Sequence, residues 1–269
     1  MPPFPVICDA TADQRFRDKV RELFPRSYNF EEHYVDHELA HIGKVFSTEL
    51  CPVRDKRVFE FGCNVGATAI VLAHYGATVV AVDVSPEYVE LAKLNAQRYG
   101  ISDGIEYCAL GPGEPLPIAD NSFDVVTCNS VLEYVSPELL AGVQREIDRV
   151  LRPGGLLLVF GTSNRLWPVE SHSRRWFVNY IPRAFDRLLQ GAPERGVWPG
   201  RLRWGFGRGY DDVLAGWKGA RTYAELKRQM GASGWRLAVM RFAAAGLALS
   251  PWSLGLMMPY ATVLLRKRS

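Results

Sequence analysis

The sequence predicts an α/β fold built on a mostly parallel sheet, on two observations. Between residues 57 and 160, short apolar runs alternate with amphipathic stretches, the pattern of right-handed βαβ crossovers. At the first crossover, Val58-Phe59-Glu60-Phe61-Gly62-Cys63-Asn64-Val65-Gly66-Ala67-Thr68 carries an apolar run into two glycines and then into helical spacing. That reads as strand, tight turn, helix.

The elements follow in order. Residues 1–50 form a helical preface, with apolar residues at helical spacing over 11–24 and 30–49. Within it His33, His37 and His41 fall at i, i+4 and i+8, on one helix face spanning about 12 Å. One ion could take two of these imidazoles but not all three, and the preferred reading is a surface or cleft-facing helix with no metal site. Strands are expected at 58–61, 79–82, 105–109, 125–129 and 156–160, and helices at 68–75, 86–99 and 137–151. Pro153-Gly154-Gly155 stops the last of these helices and turns the chain into the fifth strand. A long loop, residues 161–172, then leaves the carboxyl end of a central strand, where such sheets bind ligands. Residues 174–221, rich in Arg and Trp and interrupted by Pro182, Pro193 and Pro199, read as an insertion of irregular helices. A helix at 222–230 and strands at 235–242 and 260–266 complete the chain.

Composition narrows the classes. At 269 residues, one domain with decorations is expected: a cap over 1–50, then a main domain over 51–269 with its insertion at about 173–221. The formal charge of +3 excludes little, but Ser173 to Arg221 holds ten Lys/Arg against four Asp/Glu, so this segment carries +6 and the remainder −3. Five scattered cysteines, Cys8, Cys51, Cys63, Cys108 and Cys128, suggest neither disulfides nor zinc and fit a reducing cytoplasm. No secretion signal is read at the N-terminus. The apolar run 242–258 contains Pro251 and falls short of the roughly 20 residues of a bilayer helix, which favours a buried or interfacial hairpin. With the basic, Trp-rich insertion it leaves peripheral membrane contact open.

The chemistry starts at the glycine turn. Gly62 and Gly66 permit positive φ and close backbone approach, so a ligand can lie on the turn and face the helix amides. About twenty residues on, the run Ala77-Thr78-Val79-Val80-Ala81-Val82 ends in Asp83, an acid at a strand tip able to accept both hydroxyls of a ribose. Asn64 breaks the G-x-G-x-x-G spacing of dinucleotide sites, so a different cofactor is implied.

Four features in order carry a resemblance: Glu60-x-Gly62-x-x-x-Gly66, Asp83, Leu116-Pro117-Ile118-Ala119-Asp120-Asn121-Ser122-Phe123-Asp124, and Leu151-Arg152-Pro153-Gly154-Gly155. Over residues 57–164 the chain resembles class I S-adenosylmethionine-dependent methyltransferases. The resemblance implies a Rossmann-like, doubly wound seven-stranded sheet, mostly parallel with the last strand antiparallel, under a helical cap. It implies S-adenosyl-L-methionine as cofactor and S-adenosyl-L-homocysteine as product. Glu60 would hold the donor's amino end, and the backbone of Phe61, Gly62, Cys63 and Gly66 would lie along its methionine and ribose. Asp83 would take the ribose hydroxyls, and Val84 would lie against adenine.

Pro112-Gly113 stand where many members carry an acid-Ala pair that reads adenine, so backbone at Ala109 and Leu110 is expected to serve instead. Asn129, ending the fourth strand, would face the methionine part. By analogy with caps that close over the cofactor, Tyr28, Tyr34 and His37 would line the substrate site, together with Asn164 from the loop. His172 and Tyr134 are the catalytic candidates, since a histidine near its ordinary pKa of about 6.5 can take a proton from an acceptor hydroxyl. Asn129-Ser130-Val131-Leu132-Glu133-Tyr134-Val135 is similar to the stretch of ubiquinone-type O-methyltransferases, which usually carry His where Tyr134 stands. The expected partner is a small hydrophobic or aromatic acceptor, anionic or lipid-like in the alternative, methylated on oxygen in the first reading and on nitrogen or carbon otherwise. The rivals are an RNA or protein methyltransferase, against which no RNA-binding module and no N-P-P-Y motif is found, and a non-methylating protein of the same fold. The oligomeric state is not legible.

Overall fold

The computed structural model describes residues 6–25, 33–170, 173–182, 184–185, 188, 195–198, 201–202, 205–214, 216–231, 233–235, 238 and 260–269. Among the described residues seven strands form one sheet: β1 (Arg57–Phe61), β2 (Thr78–Asp83), β3 (Ile105–Ala109), β4 (Phe123–Asn129), β5 (Leu151–Ser163), β6 (Tyr210–Asp212) and β7 (Tyr260–Lys267). Their order is β3-β2-β1-β4-β5-β7-β6, and β7 runs antiparallel to both of its neighbours. The expected class, a mostly parallel seven-stranded sheet with an antiparallel last strand, is the one found. The chain divides into two compact units, residues 1–127, 150–155 and 229–231 in one and 128–149, 156–228 and 232–269 in the other.

The first unit begins with α1 (Ala10–Leu23), started by Asp9, whose carboxylate accepts from the Ala12 amide at 2.9 Å. Ala12, Phe16 and Val20, at i, i+4 and i+8, form its buried stripe, and Phe16 and Val20 pack with Val65, Leu91 and Leu94. The preface continues as α2 (Tyr34–Glu38), a π-helical turn (Leu39–Gly43) and α3 (Lys44–Phe46), within the span expected to be helical. The π turn changes the histidine face: the rings of His37 and His41 stack at 3.9 Å, and His41 Nδ1 lies 2.8 Å from the His37 carbonyl. Helix α4 (Ala67–His74) follows β1 and is buried along most of its length, and α5 (Pro86–Arg98) follows β2, capped by Ser85 with Pro86 in its first turn.

Arg98, at the end of α5, is 1% exposed, with Nε 3.0 Å from Asp13 Oδ1 and its guanidinium over the Phe16 ring at 4.4 Å. The ion pair and the cation–π contact tie α1 to α5. Arg98→Ala leaves a void beside Phe16 and leaves Asp13 with Arg17, at 2.9 Å, as its remaining ion-pair partner among the described residues, so the expected loss in denaturant unfolding is at the lower end of the roughly 3–5 kcal/mol of a broken buried pair. Arg228→Ala, at an exposed pair with Glu225, is the control expected to leave the midpoint unchanged.

In the second unit, α6 (Pro137–Val150) lies between β4 and β5 in sequence, and α7 (Gly216–Gln229) between β6 and β7. Three boundaries differ from the sequence reading. β5 starts at Leu151, not 156, so Pro153-Gly154-Gly155 lies inside the strand. Arg152 pairs with Asp124 at 2.7 Å, and a Cβ on Gly155 would stand 3.0 Å from the Asp124 carbonyl, so the fit against β4 begins early. The sixth strand is Tyr210–Asp212, inside the segment read as an insertion. It has no apolar alternation to announce it. Pairing with β7 (Tyr210↔Lys267) makes it a strand, with the Tyr210 hydroxyl donating to Asp148 Oδ1 at 2.8 Å. Of the strand expected at 235–242, Trp235 and Ala238 are helical, and the rest lies outside the described residues, as does the apolar run 242–258. Among the described residues no helix is long and apolar enough to cross a membrane.

Candidate cofactor and active site

The turn after β1 is built by three left-handed residues, Gly62 (φ 77°), Asn64 (φ 49°) and Gly66 (φ 75°). The amides of Gly62 and Cys63 both donate to the Val82 carbonyl at 2.9 Å, so the turn is stitched to the end of β2. Gly66 opens α4 and has no room for a side chain, because a Cβ there would lie 2.6 Å from the Tyr107 hydroxyl and 2.9 Å from Ala92 Cβ. Beneath the turn, Asn95 Nδ2 donates to the Val65 carbonyl at 2.7 Å.

Asp83 ends β2 directly beside the turn. Its Oδ2 accepts from the Asn64 amide at 2.8 Å and its Oδ1 from the Ser85 amide at 3.1 Å. The carboxylate is thus oriented by backbone, with lone pairs left for further donors. Asn64 therefore does more than break a motif spacing: its positive φ aims its amide at Asp83. The next residue, Val84, is 59% exposed, an apolar side chain held at the strand tip. In register, Asp83 faces Ala109, the last residue of β3, and the Leu110 amide donates to the Asp83 carbonyl at 3.0 Å. Ala109 and Leu110 are thereby brought to Asp83, with the Leu110 amide committed to the strand.

Glu60 sits one residue before the end of β1, 1% exposed. It draws hydrogen bonds from the Thr68 hydroxyl and the Ala69 amide at the start of α4, while its Oε2 meets no partner. Burial, reinforced by the neighbouring Glu38 carboxyl, pushes its pKa well above the usual carboxylate range. Glu38, from α2 and 4% exposed, accepts from the same Thr68 hydroxyl at 3.4 Å. The His37 Nδ1 lies 3.3 Å from Glu38 Oε1, and that bond raises the imidazole's pKa against the opposing effect of burial. Tyr34 packs toward the same ring, centroids 5.9 Å apart. Sequence reasoning chose Tyr34 and His37 as site residues and noted Glu38 only as an acid near the histidine series. A signal was present: Val35, Glu38 and Ile42 share one helical stripe, and both apolar members are buried, so the acid between them faces inward.

Burial raises the Cys63 thiol well above its ordinary pKa, and Glu60 and Asp83 raise it further. The thiol stays neutral and serves packing. Phe61 is half-buried at the strand end.

In the second unit, Asn129 ends β4 against Gly161, where a Cβ would lie 2.6 Å from Asn129 Oδ1. Ser130, with φ 49°, donates its amide to the Phe160 carbonyl and its hydroxyl to Glu133 Oε1 at 3.1 Å, and the Ser163 amide reaches the same oxygen at 3.3 Å. Glu133 thus joins the ends of β4 and β5. Tyr134 beside it is 57% exposed. Asn164 is 1% exposed, with Oδ1 accepting from the Leu166 amide and its carbonyl from Asn179 Nδ2, so it shapes the loop from within. Glu170, fully buried, accepts from the Ser163 hydroxyl at 3.2 Å and the Ser173 amide at 2.6 Å. Tyr28 and His172 lie outside the described residues.

Comparison with known proteins agrees with this geometry. Residues 59–159 match the family model described as a methyltransferase domain. A ubiquinone biosynthesis O-methyltransferase of Paracidovorax citrulli is 31% identical over 157 residues, 58% of this chain and 64% of the relative. The chain thus spans less than two thirds of that relative's length. Among solved structures, the YcgJ protein of Bacillus subtilis superposes with a TM-score of 0.52 at 20% identity, covering 84% of this chain and 98% of that one. The [4+2]-cyclase SpnF superposes with a TM-score of 0.51 at 22% identity, covering 84% and 80%. These two likenesses show the fold. The matched methyltransferase domain, the glycine turn and the acid at the tip of β2 together make residues 59–159 similar to the class I S-adenosylmethionine-dependent methyltransferases.

Proposed function

We propose that this chain transfers a methyl group from S-adenosylmethionine to a small hydrophobic or aromatic acceptor, on oxygen in the first instance. The observation that carries the reading is the pre-oriented Asp83 carboxylate beside the Gly62 to Gly66 turn, with the unpartnered Glu60 Oε2 in the same unit. These groups fit the donor's two polar ends: Asp83 for the ribose hydroxyls and Glu60 for the amino group, with Val84 against the base. The cofactor supplies an electrophilic methyl on its sulfonium. The protein's part is to hold acceptor and donor in line, since orientation supplies most of the acceleration such a displacement needs.

The likeness to a ubiquinone biosynthesis O-methyltransferase favours a phenolic acceptor. So do the exposed aromatic side chains Trp176 (67%), Phe177 (57%) and Tyr180 (47%) next to Arg174 and Arg175, which suit a bulky apolar molecule bearing an anionic group. On this reading His172 or Tyr134 receives the acceptor's proton. His172→Ala is expected to lower kcat by about 10²-fold or more and to leave the donor's dissociation constant unchanged. Full turnover in that variant removes His172 from the chemistry.

The test of the function is calorimetric titration with S-adenosylmethionine and S-adenosylhomocysteine, followed by mass-spectrometric detection of methylated product from hydrophobic phenols, amines and acids. Micromolar binding of both nucleosides and product from a phenol is the expected result. Binding of both with no product from any acceptor would favour a non-methylating role for this fold.

A further inference from the structure

Of the buried acids beside the cofactor turn, Glu60 is one donor short. Glu38 and Glu60 are both buried, at 4% and 1% exposure, and both draw on the hydroxyl of Thr68. A threonine hydroxyl has one hydrogen to give. The Ala69 amide supplies Glu60 with a second donor, yet Glu60 Oε2 still meets none. Glu38 has His37 Nδ1 at 3.3 Å as well, so the deficit lies at Glu60 Oε2; two ionised carboxylates drawing on one hydroxyl in a buried site repel each other and lose hydration, whereas one proton on the pair removes one of the charges.

We propose that Glu38 and Glu60 form a carboxylate pair that holds one proton in the free protein and releases it to solvent when the donor's α-ammonium group docks against Glu60. The proposal rests on the reading of Glu60 as the contact for the donor's amino end. The balance is simple: the pair's carboxyl O–H breaks, the proton goes to buffer, and the ammonium remains charged, its N–H groups replacing the lost donor at Oε2. Glu38 is a positioning residue here, since it acts through Glu60. Its place on α2 links the helical preface to the arrival of the donor.

The titratable groups around the pair are His37 from α2, Cys63 in the turn, Asp83 at the tip of β2 and Tyr107 from β3. Burial and mutual repulsion both favour the protonated form of Glu60, the direction the pair requires. The sign of the pH effect follows. A ligand whose binding expels a proton binds more tightly as pH rises through the titration of the free pair, and that gain ends once the pair is ionised without it.

The experiment is isothermal titration of the full chain with S-adenosylhomocysteine, whose only cation is the α-ammonium, at pH 6.5 in buffers of different ionisation enthalpy. This pH lies below the titration of an α-amino group, at about 7.7–8.0, so the ligand itself contributes no proton. The expected result is net release of about half a proton or more per molecule bound. 5′-Methylthioadenosine, which carries the base and ribose without the ammonium, is expected to bind with none. Equal release with both ligands, or none with either, overturns the proposal.

Glu38→Gln, which keeps an acceptor for Thr68, is expected to move the pH of half-maximal release down by on the order of one unit; an unmoved profile removes Glu38 from the pair. His37→Gln is expected to keep the release, and its disappearance would assign the proton to the imidazole and sink the idea. Glu60→Gln separates this proposal from the reading beneath it. Unchanged affinity for S-adenosylhomocysteine in that variant means that Glu60 does not hold the amino end. Weakened affinity alongside an unmoved Glu38→Gln profile means that only the pairing is wrong.

Discussion

Asp83→Ala is expected to weaken S-adenosylmethionine binding by about 10- to 150-fold, the equivalent of losing hydrogen bonds to a charged group worth roughly 1.5–3 kcal/mol. Two losses combine. The ribose hydroxyls lose their acceptor, and the amides of Asn64 and Ser85, now bonded at 2.8 and 3.1 Å, lose theirs. Asn64 stands at φ 49°, a conformation few non-glycine residues keep without support, so the turn itself loosens when the carboxylate goes. Asp83→Asn retains one acceptor oxygen and falls between wild type and alanine. A dissociation constant for Asp83→Ala that matches wild type, measured by calorimetry, would end the ribose assignment.

Gly66→Ala is expected to be as damaging, by a different route. At φ 75° an alanine pays the left-handed penalty of about 1–2 kcal/mol, and its methyl would press on the Tyr107 hydroxyl at 2.6 Å and Ala92 Cβ at 2.9 Å. Overpacking of this kind adds about 1–3 kcal/mol. Neither neighbour yields easily: Tyr107 is buried, with burial raising its phenol well above the ordinary pKa, and Ala92 is locked in α5. The expected outcome is a loss of roughly 2–5 kcal/mol in unfolding together with weakened donor binding. Tyr107→Phe in the same background removes the hydroxyl the methyl meets first and is expected to recover part of the stability. A Gly66→Ala protein with wild-type unfolding and donor affinity would show that the turn is looser than its contacts indicate.

The roles of Asp83 and Gly66 differ in how much of each is written in the local sequence. Asp83 stood out because a strand-ending acid about twenty residues past a glycine turn has a specific chemical use, and the parallel register Arg57↔Thr78 to Phe61↔Val82 then sets its tip beside that turn. Gly66 stood out as a turn glycine, but its second constraint, the Tyr107 hydroxyl pressing from β3, depends on a contact 41 residues away in sequence. The same distinction runs through the site. His37 stands out as a member of a regular histidine series, while the burial of the acid beside it, Glu38, is set by the packing of its stripe with Val35 and Ile42.

Local patterning by itself determined the class of the sheet, the strand–turn–helix at residues 58–68, the acid at the tip of β2 and, through four ordered motifs, the resemblance to a methyltransferase domain. Each of these is written in short-range spacing, because glycine placement and the period of apolar residues act over a few residues of chain. Only the tertiary structure decided that Tyr210–Asp212 is a strand, that β5 begins at Leu151, that Arg98 is buried between α1 and α5, and that Glu38 and Glu60 share one hydroxyl. These depend on which distant segments pay their desolvation and pairing requirements to one another, a condition no window of sequence contains.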